Sequence, residues 1–218
     1  MLKTLGCIAL AGACLLGAPS PARAQQTLNF SLGYFAVRGE DARTTGDQIA
    51  FDRNFLSFNV SDFNGATIGG EWLIPIGDFF EGGAGVSFSR RTVPSVYTNY
   101  TDNTGAEIEQ RLRLRIVPVS FTFRVLPLGQ TSPVQPYFGA GVGIFNWRYS
   151  ESGDFIDFSK AGNPVYNASY VGTGTNAGPV ALGGIRVAGD SASAGFEIRY
   201  QKAMGDLPTS DFFDPANP

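Results

Sequence analysis

The stretch Ile108-Glu109-Gln110-Arg111-Leu112-Arg113-Leu114-Arg115-Ile116 sets apolar and charged residues almost in strict turn. Successive side chains of a strand point to opposite faces, so Ile108, Leu112, Leu114 and Ile116 share one side and Glu109, Arg111, Arg113 and Arg115 the other. A helix would scatter both sets around its axis. Beyond Pro118 the apolar residues are Val119, Phe121 and Phe123, one step out of phase with the first set. A phase change beside a proline predicts a β-bulge, because an inserted residue restores the apolar face and the missing N–H is tolerated there.

Outward from this strand the period of two recurs. Leu28, Phe30, Leu32 and Tyr34 form one apolar series, Ile68, Trp72 and Ile74 a second, and Ala84, Val86 and Phe88 a third. Phe138, Ala140, Val142 and Ile144 follow, then residues 179–187, then Ala194, Phe196, Ile198 and Tyr200. That makes seven strands. The connections alternate in length: residues 38–65, 91–106 and 150–177 read as long loops, whereas those near 76–78, 126–134 and 188–191 read as tight turns. Long loops on one rim and short turns on the other predict an all-β, antiparallel, up-and-down transmembrane β-barrel with the long loops outside. Residues 55–63 also alternate, which fits either an extension of the second strand or a short helix.

The chain has 218 residues, with 28 Gly, 18 Phe, 16% charged residues and a formal charge of −3, which suits one domain and argues against a nucleic-acid partner. Met1-Leu2-Lys3, an apolar run over residues 5–18 and Ala22-Arg23-Ala24 have the form of a secretory signal. Residues 1–24 are therefore expected to be removed by cleavage between Ala24 and Gln25, leaving residues 25–218 as the barrel domain. Cys7 and Cys14 both lie in the removed segment. Acylation of Cys14 is the competing reading, against which stands Ala11 where a leucine is usual. After residue 24 there is no run of about 18 apolar residues for a transmembrane helix.

One face of the strands gathers Glu71, Glu109, Arg111, Arg113, Arg115, Arg186, Glu197 and Arg199. An eight-stranded barrel is just wide enough to be filled by side chains, and buried charges of both signs must pair, so these residues are expected to form a salt-bridged, plugged lumen. Trp72, Phe79, Phe80, Trp147, Tyr149 and Tyr200 stand where interfacial aromatic girdles belong. A soluble lipocalin-like barrel shows the same alternation with its faces exchanged. Loop asymmetry and strand length favour the membrane form.

The sequence contains no histidine, and the expected mature chain no cysteine. Nucleophilic catalysis with an imidazole base and zinc sites are thereby disfavoured, and the chain reads as a non-enzyme without cofactor. Glu71 and Glu81 are the remaining candidates for a paired-carboxylate hydrolase; the competing reading makes Glu71 a lumen counter-ion and places Glu81 at a turn. Gly139-Ala140-Gly141-Val142-Gly143 lacks GxGxxG spacing and reads as small lumen-facing residues. Asp154 and Asp157 read as solvated loop charges before they read as Ca²⁺ ligands.

Leu114-Arg115-Ile116-Val117-Pro118-Val119, then Gln135-Pro136-Tyr137-Phe138-Gly139-Ala140-Gly141-Val142-Gly143, and Gly195-Phe196-Glu197-Ile198-Arg199-Tyr200 together resemble the outer-membrane β-barrel domain family that includes OmpW-like and OmpA/OmpX-like small barrels. The resemblance implies eight antiparallel strands, location in the cell outer membrane, and outer-membrane lipid and the outer-membrane assembly machinery as partners. Three functions follow as expectations: a structural or interaction barrel, a narrow conduit or binding site for a small apolar ligand, and a soluble periplasmic carrier. Seven strands are one short of eight, and Asp214-Pro215-Ala216-Asn217-Pro218 cannot form the last, so the final strand is expected beyond Pro218.

Overall fold

The computed structural model describes residues 26–37, 47–189, 192–205 and 207. The signal segment with Cys7 and Cys14, the Ala24-Gln25 junction and the tail from residue 208 lie outside the described residues. Seven strands form one antiparallel sheet in chain order: β1 (Thr27–Phe35), β2 (Gly65–Ile76), β3 (Phe80–Thr101), β4 (Glu107–Val125), β5 (Val134–Ile156), β6 (Val165–Ala188) and β7 (Ser193–Gln201). A short helix α1 (Gln48–Asp52) and a 3₁₀ turn (Val60–Phe63) lie between β1 and β2. Asp47 starts α1 by accepting hydrogen bonds from the N–H groups of Ile49 and Ala50.

The sheet is strongly curled. β2 and β7 stand five places apart, roughly 24 Å on a flat sheet, yet Arg199 of β7 hydrogen-bonds Glu71 of β2 at 3.2 Å. Among the described residues β1 and β7 do not pair with each other, so the sheet is not closed. The tight turns all lie at one end, termed lower here; the connections 102–106 and 157–164 lie at the upper end.

Two expectations are corrected at this level. Residues 91–106 and 150–177 are not long loops, because β3, β5 and β6 run on through most of them and reach 22, 23 and 24 residues. That is about twice the 9 to 11 residues needed to cross a bilayer. Nor does Pro118 carry a bulge. The register of β4 on β3 is the same at Val86↔Val119 and at Ser89↔Ile116, and β4 pairs with β5 without interruption from Gln110 to Val125. The proline lacks a donor, and the β3 ladder lapses there without an inserted residue. The one register shift between β3 and β4 falls between Val96 and Thr101.

With no bulge, the even residues of β4 face inward along its whole length: Ile108, Gln110 and Leu112 above, and Ser120, Thr122 and Arg124 below, are all buried. What changes at Pro118 is therefore the chemistry of each face. Below it, the outer face is apolar and the inner face polar. Above it, the outer face is charged and the inner face packs Val93, Leu112 and Tyr149 against Ile49, Leu56, Phe58, Val60 and Phe63 from the segment between β1 and β2. That segment is held by main-chain bonds from Ser57 to Val96 and from Thr98 to Phe55.

Below Pro118 the exposed apolar side chains run around every strand. They include Phe30 and Leu32 on β1, Ile68, Trp72 and Ile74 on β2, Val86 and Phe88 on β3, and Val119, Phe121 and Phe123 on β4. Phe138, Val142 and Ile144 of β5, Ile185 and Val187 of β6, and Phe196 and Ile198 of β7 continue the band.

Candidate functional site

The lower interior is crossed by charged side chains. Period two aims Glu71 of β2, Arg124 of β4, and Glu197 and Arg199 of β7 inward, and the curl of the sheet brings them together. Arg124, 1% exposed, bridges Glu71 and Glu197, the second contact at 2.9 Å. Arg199 donates to Glu197 at 2.8 Å, to both oxygens of Glu71 at 3.2 Å and to Ser120 at 3.1 Å. Thr122 donates to Glu71, Tyr137 to Glu197 at 3.1 Å, and the Arg124 guanidinium lies 4.8 Å from the centre of the Tyr137 ring. Two arginines and two glutamates cancel in charge, and charge-assisted bonds of this kind are the strong ones. Gly83 leaves room for the network, since a Cβ there would sit 2.6 Å from Thr122 Oγ1 and 2.9 Å from Glu71 Oε1.

Towards the lower rim Arg186 of β6 pairs with Glu81 of β3 at 2.7 Å and donates to Gln135 at 2.6 and 2.8 Å. Glu81 is thus a buried strand residue with an arginine partner, not a turn residue, and Glu71 and Glu81 belong to separate ion pairs. Neither is poised as a hydrolytic dyad.

The expected lumen set is therefore divided. Glu71, Arg186, Glu197 and Arg199 lie on the inner face in ion pairs. Glu109, Arg111, Arg113 and Arg115 are corrected to the outer face, opposite in parity to buried Ile108, Gln110 and Leu112. At their height the interior is filled by apolar residues of the segment 47–63, which leaves the charges on the outside. Arg124 and Glu81, absent from the expected set, take their places. Arg124 was legible from the alternation below Pro118 alone, since it shares its parity with Ser120 and Thr122, opposite the apolar Val119, Phe121 and Phe123. Trp147 and Tyr149 are likewise corrected inward: Trp147 donates to Asn176 at 2.7 Å and Tyr149 is buried. Trp72, Phe79, Phe80 and Tyr200 are exposed.

A second polar site lies in the upper interior. Asp52 of α1 accepts from Gln48 at 2.7 Å and from the Tyr149 hydroxyl at 3.1 Å, and Gln48 also reaches Glu151 of β5 at 3.4 Å. Both acids are buried, and no ion pair with a base reaches either among the described residues. Burial raises the Asp52 carboxyl from 3.8 to about 6 and Glu151 well above its ordinary value, and Gln48 hydrogen-bonds both acids. Beside them Phe51, Phe55, Leu56, Tyr97, Gln110 and Phe155 line a cavity of about 20 Å³, room for one water. Asp154 accepts from Asn167, and Asp157 pairs with Lys160, so each is engaged within its own hairpin.

No protein-family model, no curated protein and no solved structure matches the chain.

Proposed function

We propose that the chain is a small outer-membrane β-barrel protein whose lower half crosses the bilayer and whose upper half stands in water outside it, acting as a structural or interaction barrel rather than an enzyme. The observation that carries this reading is the exposed apolar band on all seven strands, backed by a charged and hydrogen-bonded interior. Water on both sides would leave that band as an apolar patch far larger than soluble monomers expose. A lipocalin-like carrier needs the reverse arrangement, with its apolar face inside. Among the described residues no helix is long and apolar enough to cross a membrane, so the crossing is assigned to strands. The charged upper outer wall and the filled upper interior suit contact with outside partners better than passage of a small apolar solute.

Folding the purified chain from urea into phospholipid vesicles tests this. The expected product floats with the vesicles, resists carbonate extraction and runs on unheated gels at a mobility different from the boiled form. A product that stays in the soluble fraction sinks the proposal.

A further inference from the structure

We infer that the outer wall just above the apolar band, built by Arg90, Arg115 and Arg148 with Arg113 and Arg111 above them, is a binding site for the phosphate-bearing headgroup of a membrane lipid. The inference rests on the membrane-crossing reading above. Register sets Arg90 of β3 directly opposite Arg115 of β4, and Arg115 directly opposite Arg148 of β5. All three belong to the outward series of their strands, and the next two outward residues of β4 are again arginines. Like charges directly opposite one another destabilise a sheet, so a row of three calls for a counter-ion. The described residues supply none: no ion pair involves any of the five. The Arg115 Nε–H is shut off from solvent without a hydrogen-bond partner, while Arg113 reaches only the Thr92 hydroxyl at 3.3 Å. On β4 the nearest acid of this face, Glu109, lies farther up, beyond Arg111.

Position identifies the anion. Immediately below the arginine row, the same face carries Phe88 and Val117, and below these Val86, Val119 and Ile144. An acyl chain lying on those side chains places its headgroup at the guanidinium row. Guanidinium forks match phosphate oxygens bidentately, which makes phosphate a better fit than a zwitterionic headgroup with its own internal cation.

The full chain is folded into phosphatidylcholine vesicles containing a minority of phosphatidic acid, released into mild detergent, and its retained lipid weighed by native mass spectrometry. The wild type is expected to retain phosphatidic acid over phosphatidylcholine by about tenfold or more relative to the vesicle composition. The triple variant Arg90→Gln, Arg115→Gln, Arg148→Gln should retain the two lipids in bulk proportion, and Lys160→Gln should behave as wild type. Equal retention by the wild type, or an undiminished preference in a folded triple variant, overturns the site while the membrane reading stands. A mass increment of inorganic phosphate on the wild type in place of phosphatidic acid assigns a free-phosphate site and overturns the lipid assignment. Failure of the wild type to enter any vesicle overturns the membrane reading itself. Should the triple variant not fold, the comparison of the two lipids on the wild type decides alone.

Discussion

Arg124 is the charge on which the lower interior turns, because it is sealed from water and bridges carboxylates from two strands that are distant in sequence. Its replacement by Ala leaves Glu71 and Glu197 short of a partner and should cost about 3 to 5 kcal/mol. Arg113→Ala, on the exposed face, should change stability by no more than about 0.5 kcal/mol. Urea midpoints of the two variants in detergent check the contrast, and equal midpoints would mean the network is not where the stability lies. The acid pair of the upper interior makes a prediction of opposite character. Burial raises Asp52 from 3.8 to about 6 and raises Glu151 well above its usual range, so the folded state holds protons more tightly than the unfolded chain. The groups facing the pair are Tyr149 of β5, Tyr97 of β3, Gln110 of β4 and, from its own segment, Asp47 and Gln48; none is a base. Stability from this contact is therefore full below about pH 4 and falls as pH rises through about 6 and beyond. Protease cleavage within residues 47–63 should quicken over that window, and Glu151→Gln should flatten the dependence.

On the scale of one element, β4 carries two environments on a single unbroken ladder. Its lower outer residues Val119, Phe121 and Phe123 belong to the apolar band, and its upper outer residues are Arg115, Arg113, Arg111 and Glu109. A strand of 19 residues has room for both. Placing a charge in the band at Phe121→Arg should cost about 2 to 4 kcal/mol of vesicle folding free energy if that position is near the bilayer middle. Arg113→Leu should leave the yield of vesicle-inserted protein unchanged. The opposite ranking in a vesicle-folding titration would place the bilayer at the wrong height on the strand.

For the molecule as a whole, the interior of the curled sheet is obstructed at two heights, by the Arg124 and Arg186 ion pairs below and by the apolar packing on Leu112 and Tyr149 above. Such filling among the described residues is expected to block a continuous water path, so planar-bilayer recordings should show no stable unitary currents. Regular conductance steps from the wild type would contradict it. The edges of β1 and β7, which pair with no further strand among the described residues, are the other global feature. On β1 the outward Phe30 and Leu32 and the inward Ser31 and Gly33 are all exposed.

Seven strands, their order and the three tight lower turns were determined by the sequence alone, because alternation and turn residues are local signals. The same holds for the inward placing of Glu71, Glu197, Arg199 and Arg186, each flanked by outward apolar neighbours. The orientation of Glu109, Arg111, Arg113 and Arg115 was decided by the tertiary structure. Alternation shows that two faces differ but not which is inner, and here the segment 47–63 folds back to supply apolar partners for Leu112 and Leu114. Nothing local to β4 tells which of its two faces turns inward, whereas the segment 47–63 is brought to Leu112 and Leu114 only by contacts between residues distant in sequence.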